Sequence, residues 1–402
     1  MFAGGGAILL HGVREMTYVV GIDVSSEKHD CCILGDDGTC DSFTFSNSSK
    51  GFQELLEKLP DPENTMIGME ATGIYGNNLV DFLRRKGFRT TTFNPLHIKR
   101  LASATTLRKT KTDKTDAKFI ARSFAVLDAQ PDRNILYHIS ELKSLSRLRF
   151  SLVNERSKVK NQLKAALVQI FPEYVSVFSD CFGATSLAIL EKYTCPQKIS
   201  GCRAASLAKL IHTVSKGRFG YDKAEQLIRL AKNTIGIKSE ALNTMISFYV
   251  NQVKLFTQQI SVLEEQMKSL LAEIDSPITT IPGIGHVLAS MILSEIGDIS
   301  RFSTSAQLLA FAGLEPSVSQ SGKSINSTGK MVKRGSHYLR WAIIQVARNA
   351  GRYNSVFADY LEKKIKQGKH FNVAVSHLAK KIVRVIFAVL QKNIPFNPHF
   401  CS

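Results

Sequence analysis

The chain has 402 residues, 44% of them apolar, and a formal net charge of +18 from 52 basic against 34 acidic side chains. That length exceeds one ordinary core, since domains usually run to ~100–200 residues, so two or three units are expected. The charge argues for a polyanionic partner, with nucleic acid ahead of an anionic membrane surface.

Seven cysteines (Cys31, Cys32, Cys40, Cys181, Cys195, Cys202 and Cys401) are odd in number and lack CxxC spacing, which argues against a disulfide scaffold and fits a reducing cytoplasm. No run reaches the ~18 apolar residues of a membrane span. Residues 1–15 hold only the short apolar run Ala7 to Leu10, followed rather than preceded by Arg14, unlike a signal peptide. They read as an unstructured extension, with translation starting at Met16.

Residues 16–130 read as an α/β domain. Thr17 to Asp23 is a β-branched and aromatic run of strand length, His29 to Leu34 follows as the second arm of a hairpin, and Ser42 to Ser46 is a third strand. An amphipathic helix with Phe52, Leu55, Leu56 and Leu59 precedes a fourth strand, Thr65 to Glu70. A helix over Tyr75 to Lys86, a strand over Arg89 to Phe93 and a helix over Lys111 to Ala125 complete a βββαβαβα order, which matches an RNase H-like arrangement.

Carboxylates stand at particular places in that order. Asp23 ends the first strand, Glu70 ends the fourth, and Asp113 and Asp116 share one face of a helical turn. Taken singly, such residues are turn, cap or surface acids. As a set they fit two-metal phosphodiester chemistry, in which hard oxygen ligands hold Mg²⁺ (or Mn²⁺) ions ~3.5–4 Å apart. Arg108, Lys109, Lys111, Lys114, Lys118 and Arg122 surround the acids, as expected where a phosphate backbone shares the site, although a salt-bridged helix face would look the same.

The segments Gly21-Ile-Asp23-Val-Ser-Ser-Glu-Lys28, Met69-Glu70-Ala-Thr-Gly73 and Lys111-Thr-Asp113-Lys-Thr-Asp116-Ala117 resemble the signatures of the DEDD insertion-sequence transposases, the insertion sequence one-hundred-ten family of bridge-RNA-guided recombinases. The resemblance runs from about Tyr18 to Leu390. It implies a RuvC-like catalytic domain, DNA partners (element ends and target), a noncoding bridge RNA, and dimers that assemble into a tetramer. The expected location is cytoplasmic, of bacterial type and nucleoid-associated.

Residues 131–274 read as a helical linker and coiled-coil region. Glu141 to Ile170 is one long helix with an apolar and a basic face. In a second long helix, Leu242, Ile246, Tyr249 or Val250, Val253, Phe256, Ile260, Leu263, Met267 and Leu270 recur at four and three residues, a coiled-coil seam that can close within one chain or between chains. Between them, 172–238 is a helical insert. Its Lys216, Arg218, Phe219, Tyr221 and Lys223 read as ordinary surface before nucleic-acid contacts.

Residues 275–402 read as a mostly α-helical transposase domain. Pro282-Gly283-Ile-Gly285 resembles a helix-hairpin-helix turn, whose glycines let the backbone approach a phosphate; a tight connection between packed helices is the alternative. Helices are expected at 287–295, 306–312 and 338–350, the last N-capped by Ser336. A basic amphipathic helix over Phe371 to Leu390 reads as a packing helix.

On residue types alone, 313–336 is a polar loop. The family resemblance makes Pro316 to Gly322 a Pro-x-x-x-x-Ser-Gly element and implies that Ser321 attacks DNA to form a covalent phosphoserine. Ser319 is the alternative and Ser317 a weaker third. Lys323, Lys330, Lys333, Arg334 and Arg340 are the candidate partners for developing phosphorane charge. The expectation is therefore a transposase that excises and inserts an element by metal-assisted, serine-mediated strand exchange. Two rivals are a Holliday-junction-resolvase-like metal nuclease without a serine nucleophile and a noncatalytic nucleic-acid-binding protein.

Overall fold

The computed structural model describes residues 18–35, 38–70, 75–93, 98, 113–127, 137–316, 319–321, 324–326 and 331–398. The chain divides into two compact units, Met1–Asn134 and Ile135–Ser402.

The first unit opens with strands β1 (Tyr18–Val24), β2 (Lys28–Gly35) and β3 (Cys40–Ser46), followed by α1 (Ser49–Lys58), β4 (Thr65–Glu70), α2 (Asn77–Arg85), β5 (Arg89–Phe93) and α3 (Asp113–Leu127). Its five-stranded sheet has the order β3-β2-β1-β4-β5. The first three strands form an antiparallel meander, and β4 and β5 add in parallel on the far side of β1. Alternation along the strands splits the core in two. Val20, Ile22, Cys31, Ile33, Ile67 and Met69 pack on one face with Leu55 of α1 and Leu79 and Leu83 of α2. Val19, Met66 and Phe93 pack on the other with Ile120 and Phe124 of α3.

Close approach of α3 to the sheet depends on a missing side chain. A Cβ on Gly21 would stand 2.1 Å from the Ala117 carbonyl oxygen and 2.4 Å from the Ala121 nitrogen, so the helix backbone rests directly on β1. The Cβ of any larger residue would occupy that space.

The second unit is helical: α4 (Tyr137–Ile170), α5 (Ala184–Lys192), α6 (Pro196–Ser200), α7 (Ala204–Val214), α8 (Tyr221–Lys232), α9 (Glu240–Ile274), α10 (His286–Ile296) and α11 (Ser305–Phe311), then the two-stranded ribbon β6 (Ser319–Ser321) and β7 (Ser324–Asn326), then α12 (His337–Tyr353), α13 (Ser355–Lys366) and α14 (Phe371–Lys392). The two long helices run antiparallel. Arg149 pairs with Glu264 at 2.6 Å and Arg156 Nη1 donates to Thr257 Oγ1 at 3.3 Å, so position falls along α9 as it rises along α4. The α9 stripe of Ile246, Val250, Val253, Ile260, Leu263 and Met267 is buried within this unit.

The insert between them, α5 to α8, shares a core with the facing parts of α4 and α9, centred on Phe171 and Tyr174. Its ends meet: the Ile237 N–H donates to the Gln169 carbonyl at 2.9 Å. A second core joins α10, α12, α13 and α14. Helix α13, which the periodicity reading did not separate, starts where Asn354 accepts the Phe357 N–H at 3.3 Å and buries Phe357 and Leu361. Among the described residues no helix is long and apolar enough to cross a membrane.

Candidate functional site

Asp23 and Glu70 are neighbours on the sheet. The parallel β1–β4 register pairs Ile22 with Met69, which places both acids one residue further on, at the C-terminal ends of adjacent strands. Both share the sheet face of Gly21 and Gly68, and that face is the one α3 covers, since a Cβ on Gly68 would meet the Phe124 ring at 2.7 Å. Helix α3 begins at Asp113 and carries Asp116 one residue before Ala117, the point of contact with Gly21. Asp23, Glu70 and Asp116 are each half-buried. Two strand ends and a helix start thus present acids on one side of the sheet. The side chains of Asp113 and Lys114 lie outside the described residues, and no group of three His, Cys, Asp or Glu side chains closes into a metal cage among those described.

Two residues that the motif reading passed over stand beside Asp23. Asp30 is its register partner across the β1–β2 hairpin, lies on the same face and is only 5% exposed. Its Oδ1 accepts from Thr44 Oγ1 at 2.7 Å. His29 is fully buried between the rings of Phe45 and Phe52, and its Nδ1 accepts the Ser25 N–H at 3.3 Å, fixing the chain immediately after Asp23. Burial lowers its pKa, against the opposing effects of Asn47 and Asp30. What singles both out is the hairpin register of the folded chain, which puts 29 and 30 opposite 24 and 23.

The basic residues divide. Arg108, Lys109 and Lys111 lie outside the described residues. Lys118 is half-buried and lies beside Cys40 of β3, and Arg122 is exposed.

In the second unit, the segment read as a polar loop has a pinned base and a short ribbon. Val332 N–H donates to the Glu315 carbonyl at 3.0 Å, Lys333 N–H to Gly313 at 3.2 Å, and Pro316 bridges to Met331. Gly313 makes this possible with φ +65°, where a Cβ would stand 2.1 Å from the Arg334 oxygen. Above the base, Ser321 ends β6 and pairs with Ser324, while Ser319 pairs with Asn326. Runs of β-branched residues did not announce these strands, which pair over three positions each. Ser317, Lys323 and Lys330 lie outside the described residues, whereas Lys333 and Arg334 are exposed at the base. Arg340 is tied to the base itself, donating from Nη1 to the Ala312 carbonyl at 3.2 Å.

The end of this segment is anchored by a buried carboxylate that motif reading did not single out. Glu295 of α10 is 4% exposed and receives Arg147 of α4 in a fork, Nε to Oε1 at 2.7 Å and Nη2 to Oε2 at 3.1 Å. Ser336 Oγ donates to Glu295 Oε2 at 2.8 Å while accepting the Leu339 N–H at 3.1 Å as the N-cap of α12. Burial pushes the Glu295 carboxyl up, but the Arg147 and Ser336 hydrogen bonds outweigh it and hold the group below the usual carboxylate value.

The helix-hairpin-helix-like turn has two different glycines. Gly283, at φ +87°, lies against α12, where a Cβ would stand 2.7 Å from the Ala350 nitrogen; packing inside the unit accounts for it. Gly285 precedes α10 with open space where a Cβ would stand and no side-chain cap, the kind of helix start at which the first N–H groups can take an anion.

Residues 20–172 match the family described as Transposase, of DEDD, IS110 type, and residues 275–362 match the family described as Transposase IS116/IS110/IS902. The chain is 24% identical to a pilin gene-inverting protein of Moraxella bovis over 95% of its own length and 98% of that protein. It is 24% identical to an uncharacterized insertion element IS116 protein of Streptomyces clavuligerus, covering 94% and 96%. It is 22% identical to the transposase of insertion sequence element IS1111A of Coxiella burnetii, covering 93% and 90%. These relatives and the acid-bearing α/β unit define a DNA transposase or recombinase. More narrowly, the chain belongs to the IS110 family of insertion-sequence transposases.

Proposed function

We propose that the protein excises and inserts an insertion sequence by metal-assisted, serine-mediated strand exchange, with an RNase H-like first unit holding the metal ions and Ser321 as the nucleophile. The observation that carries this reading is the placing of Asp23 and Glu70 at adjacent parallel strand ends, on the sheet face covered by the helix that bears Asp113 and Asp116. The sheet order β3-β2-β1-β4-β5, with an antiparallel meander followed by two parallel strands, supports the RNase H-like assignment.

All-carboxylate donors fit a hard divalent cation such as Mg²⁺ or Mn²⁺ better than a soft one. Asp23, Glu70, Asp113 and Asp116 would hold the ions, which when bound would polarise the scissile phosphate and support the leaving oxygen. The covalent step is the attack of the Ser321 oxygen on phosphorus. The new P–O bond forms as one DNA P–O bond breaks, the serine proton leaves with solvent or a nearby base, and the freed DNA oxygen takes up a proton. A DNA hydroxyl then reverses the exchange on the phosphoserine, so bond energy is conserved and strands are resealed. A relative described as inverting a gene supports this over hydrolysis, since inverted strands must be rejoined. Exposed Lys333 and Arg334, with Lys323, would bind the backbone near the ribbon. The family resemblance adds a bridge RNA that selects donor and target, and dimers that assemble into a tetramer.

The test is capture of a covalent protein–DNA adduct on element-end DNA with Mg²⁺ and the copurifying RNA. The adduct should disappear in Ser321→Ala and persist in Ser319→Ala. Strand cutting unchanged by Ser321→Ala would favour the resolvase-like nuclease, and recombination surviving Asp23→Ala would remove the acids from the mechanism.

A further inference from the structure

Outside the acid corner, the same sheet face holds a second reactive constellation. The β2–β3 register sets Cys32 against Ser42 and Leu34 against Cys40, so the two cysteines lie diagonally across the ladder on one face. Cys32 also stands opposite Gly21, which puts the pair on the side covered by α3. Their Sγ atoms are 2.8 Å apart. Cys32 is fully buried and Cys40 exposed. The Ser42 hydroxyl lies 3.6 Å from the Cys40 sulfur, and the Lys118 ammonium of α3 is its nearby cation.

We propose that Cys32 and Cys40 form a reversible thiol–disulfide couple, a modification site at the sheet edge that is oxidised by hydroperoxides. Contact distance and asymmetry of access carry the assignment. A disulfide has S–S of ~2.05 Å, so the sulfurs must close by about 0.8 Å, with some backbone movement added by the diagonal placement. The outer strand β3 has no strand beyond it among the described residues, so no ladder holds it on that side. An exposed sulfur next to an ammonium and a hydroxyl is the one that attacks, and the buried sulfur resolves. Electrostatics agree with these roles. Burial raises the Cys40 thiol, but hydrogen bonding with Cys32 and Ser42 and the charge of Lys118 outweigh it and bring the value below that of an ordinary thiol. Cys32 is pushed up to about 11, chiefly by burial and then by its hydrogen bond with Cys40.

The reaction balances in two steps. The Cys40 thiolate attacks one peroxide oxygen; an S–O bond forms, the O–O bond breaks, and the departing oxygen takes up the thiol proton as water or an alcohol. Cys32 sulfur then attacks the resulting sulfenic sulfur; the S–S bond forms, the S–O bond breaks, and hydroxide leaves with the Cys32 proton as water. Two electrons pass from the thiol pair to the peroxide. A dithiol reductant returns them by exchange, becoming a disulfide itself. Neighbouring Cys31 points to the opposite face and is buried in the core there, so it takes no part. Oxidation would also remove the thiolate partner of Lys118 on the helix that bears Asp113 and Asp116.

The experiment treats the reduced full-length protein with about one equivalent of hydrogen peroxide, blocks remaining thiols with a maleimide under denaturing conditions, and maps peptides by mass spectrometry. The free-thiol count should fall from seven to five, with a Cys32–Cys40 cross-link that dithiothreitol reverses. In Cys32→Ser, Cys40 should stop at a sulfenic acid that dimedone captures, and in Cys31→Ser the cross-link should form as before. Oxidation falling first on other cysteines, or Cys40 passing to sulfonic acid without a cross-link in the unmutated protein, would overturn the proposal. The unmutated measurement stands even where a cysteine variant fails to fold.

Discussion

The acids of the first unit and the serines of the second are held in opposite ways. Asp23 and Glu70 sit at the ends of strands whose other residues form a two-faced core, and α3 is pressed on β1 with no side chain between them at Gly21. Ser321 instead ends a three-residue strand in a ribbon fastened to its unit at Gly313, Glu315 and Pro316. If the acids share cations as proposed, they would have to be fixed relative to one another, because misplacement would weaken every ion–ligand bond together. In the proposed mechanism a serine that joins itself to a long polymer would need reach, and a ribbon anchored at its base would supply it without a loose attachment.

Substitutions that keep shape but remove charge should break this contrast most sharply. Asp23→Asn or Glu70→Gln is expected to lower strand cleavage about a thousandfold, the rate equivalent of ~4 kcal/mol of lost metal-centred stabilisation, with circular dichroism and melting temperature little changed. A variant retaining a tenth of the rate would mean these acids are not ligands.

Gly21→Ala tests the rigid half through packing. The added methyl meets backbone atoms of Ala117 and Ala121 that have no rotamer to escape through, so a loss of about 3 kcal/mol in denaturant unfolding of the first unit is expected. An unchanged midpoint would show that α3 is free to lift.

The anchor of the serine segment should respond more mildly. Glu295→Gln removes the charge facing Arg147, which is 44% exposed and so is partly rehydrated; about 2 kcal/mol is expected, short of the ~3–5 of a wholly buried pair. Because the folded pKa of Glu295 lies below its unfolded value, its contribution is present above the ordinary carboxylate range and is lost as pH falls through the folded value. Acid unfolding of Glu295→Gln should therefore be flatter than that of the unmutated protein over that window; parallel curves would assign the acid limb to other carboxylates.

The smallest effect is expected at Gly285→Ala, where φ is −87° and the added methyl meets open space. Stability should stay within ~0.5 kcal/mol, as for surface substitutions without a named strain. Binding of nonspecific duplex DNA, measured by fluorescence anisotropy against salt, then reports on the helix terminus alone. A loss of stability comparable with that of Gly283→Ala would show that both glycines serve packing.

Much of the first unit was legible because strand periodicity is local and its punctuation strong: β1, β4 and β5 fall where β-branched and aromatic runs end at Asp23, Glu70 and Phe93. The sheet order was reachable from element order, yet the pairing of Asp30 with Asp23 was not, because register across the hairpin depends on where β2 begins, at Lys28. In the second unit the α9 stripe announced itself by spacing, while its partner remained undecided until Arg149 and Glu264 fixed an antiparallel pair. Glu295 was invisible for a different reason. An acid at the end of an apolar helix looks like a surface residue until a guanidinium from residue 147 and a hydroxyl from residue 336 arrive on it. The ribbon at 319–326 escaped because its residues have polar, turn-forming chemistry and pair only over a few positions.

The hydrogen bond between Ile237 and Gln169 has a topological meaning. It brings the two ends of the intervening segment together, while the helices between them share a core with the facing parts of α4 and α9. Loop-closure entropy rises only slowly with the length of such a segment. The loops between its helices can therefore be lengthened at small entropic cost while the shared core keeps the α4–α9 pair in register, so a new contact surface can be added there without disturbing that pair.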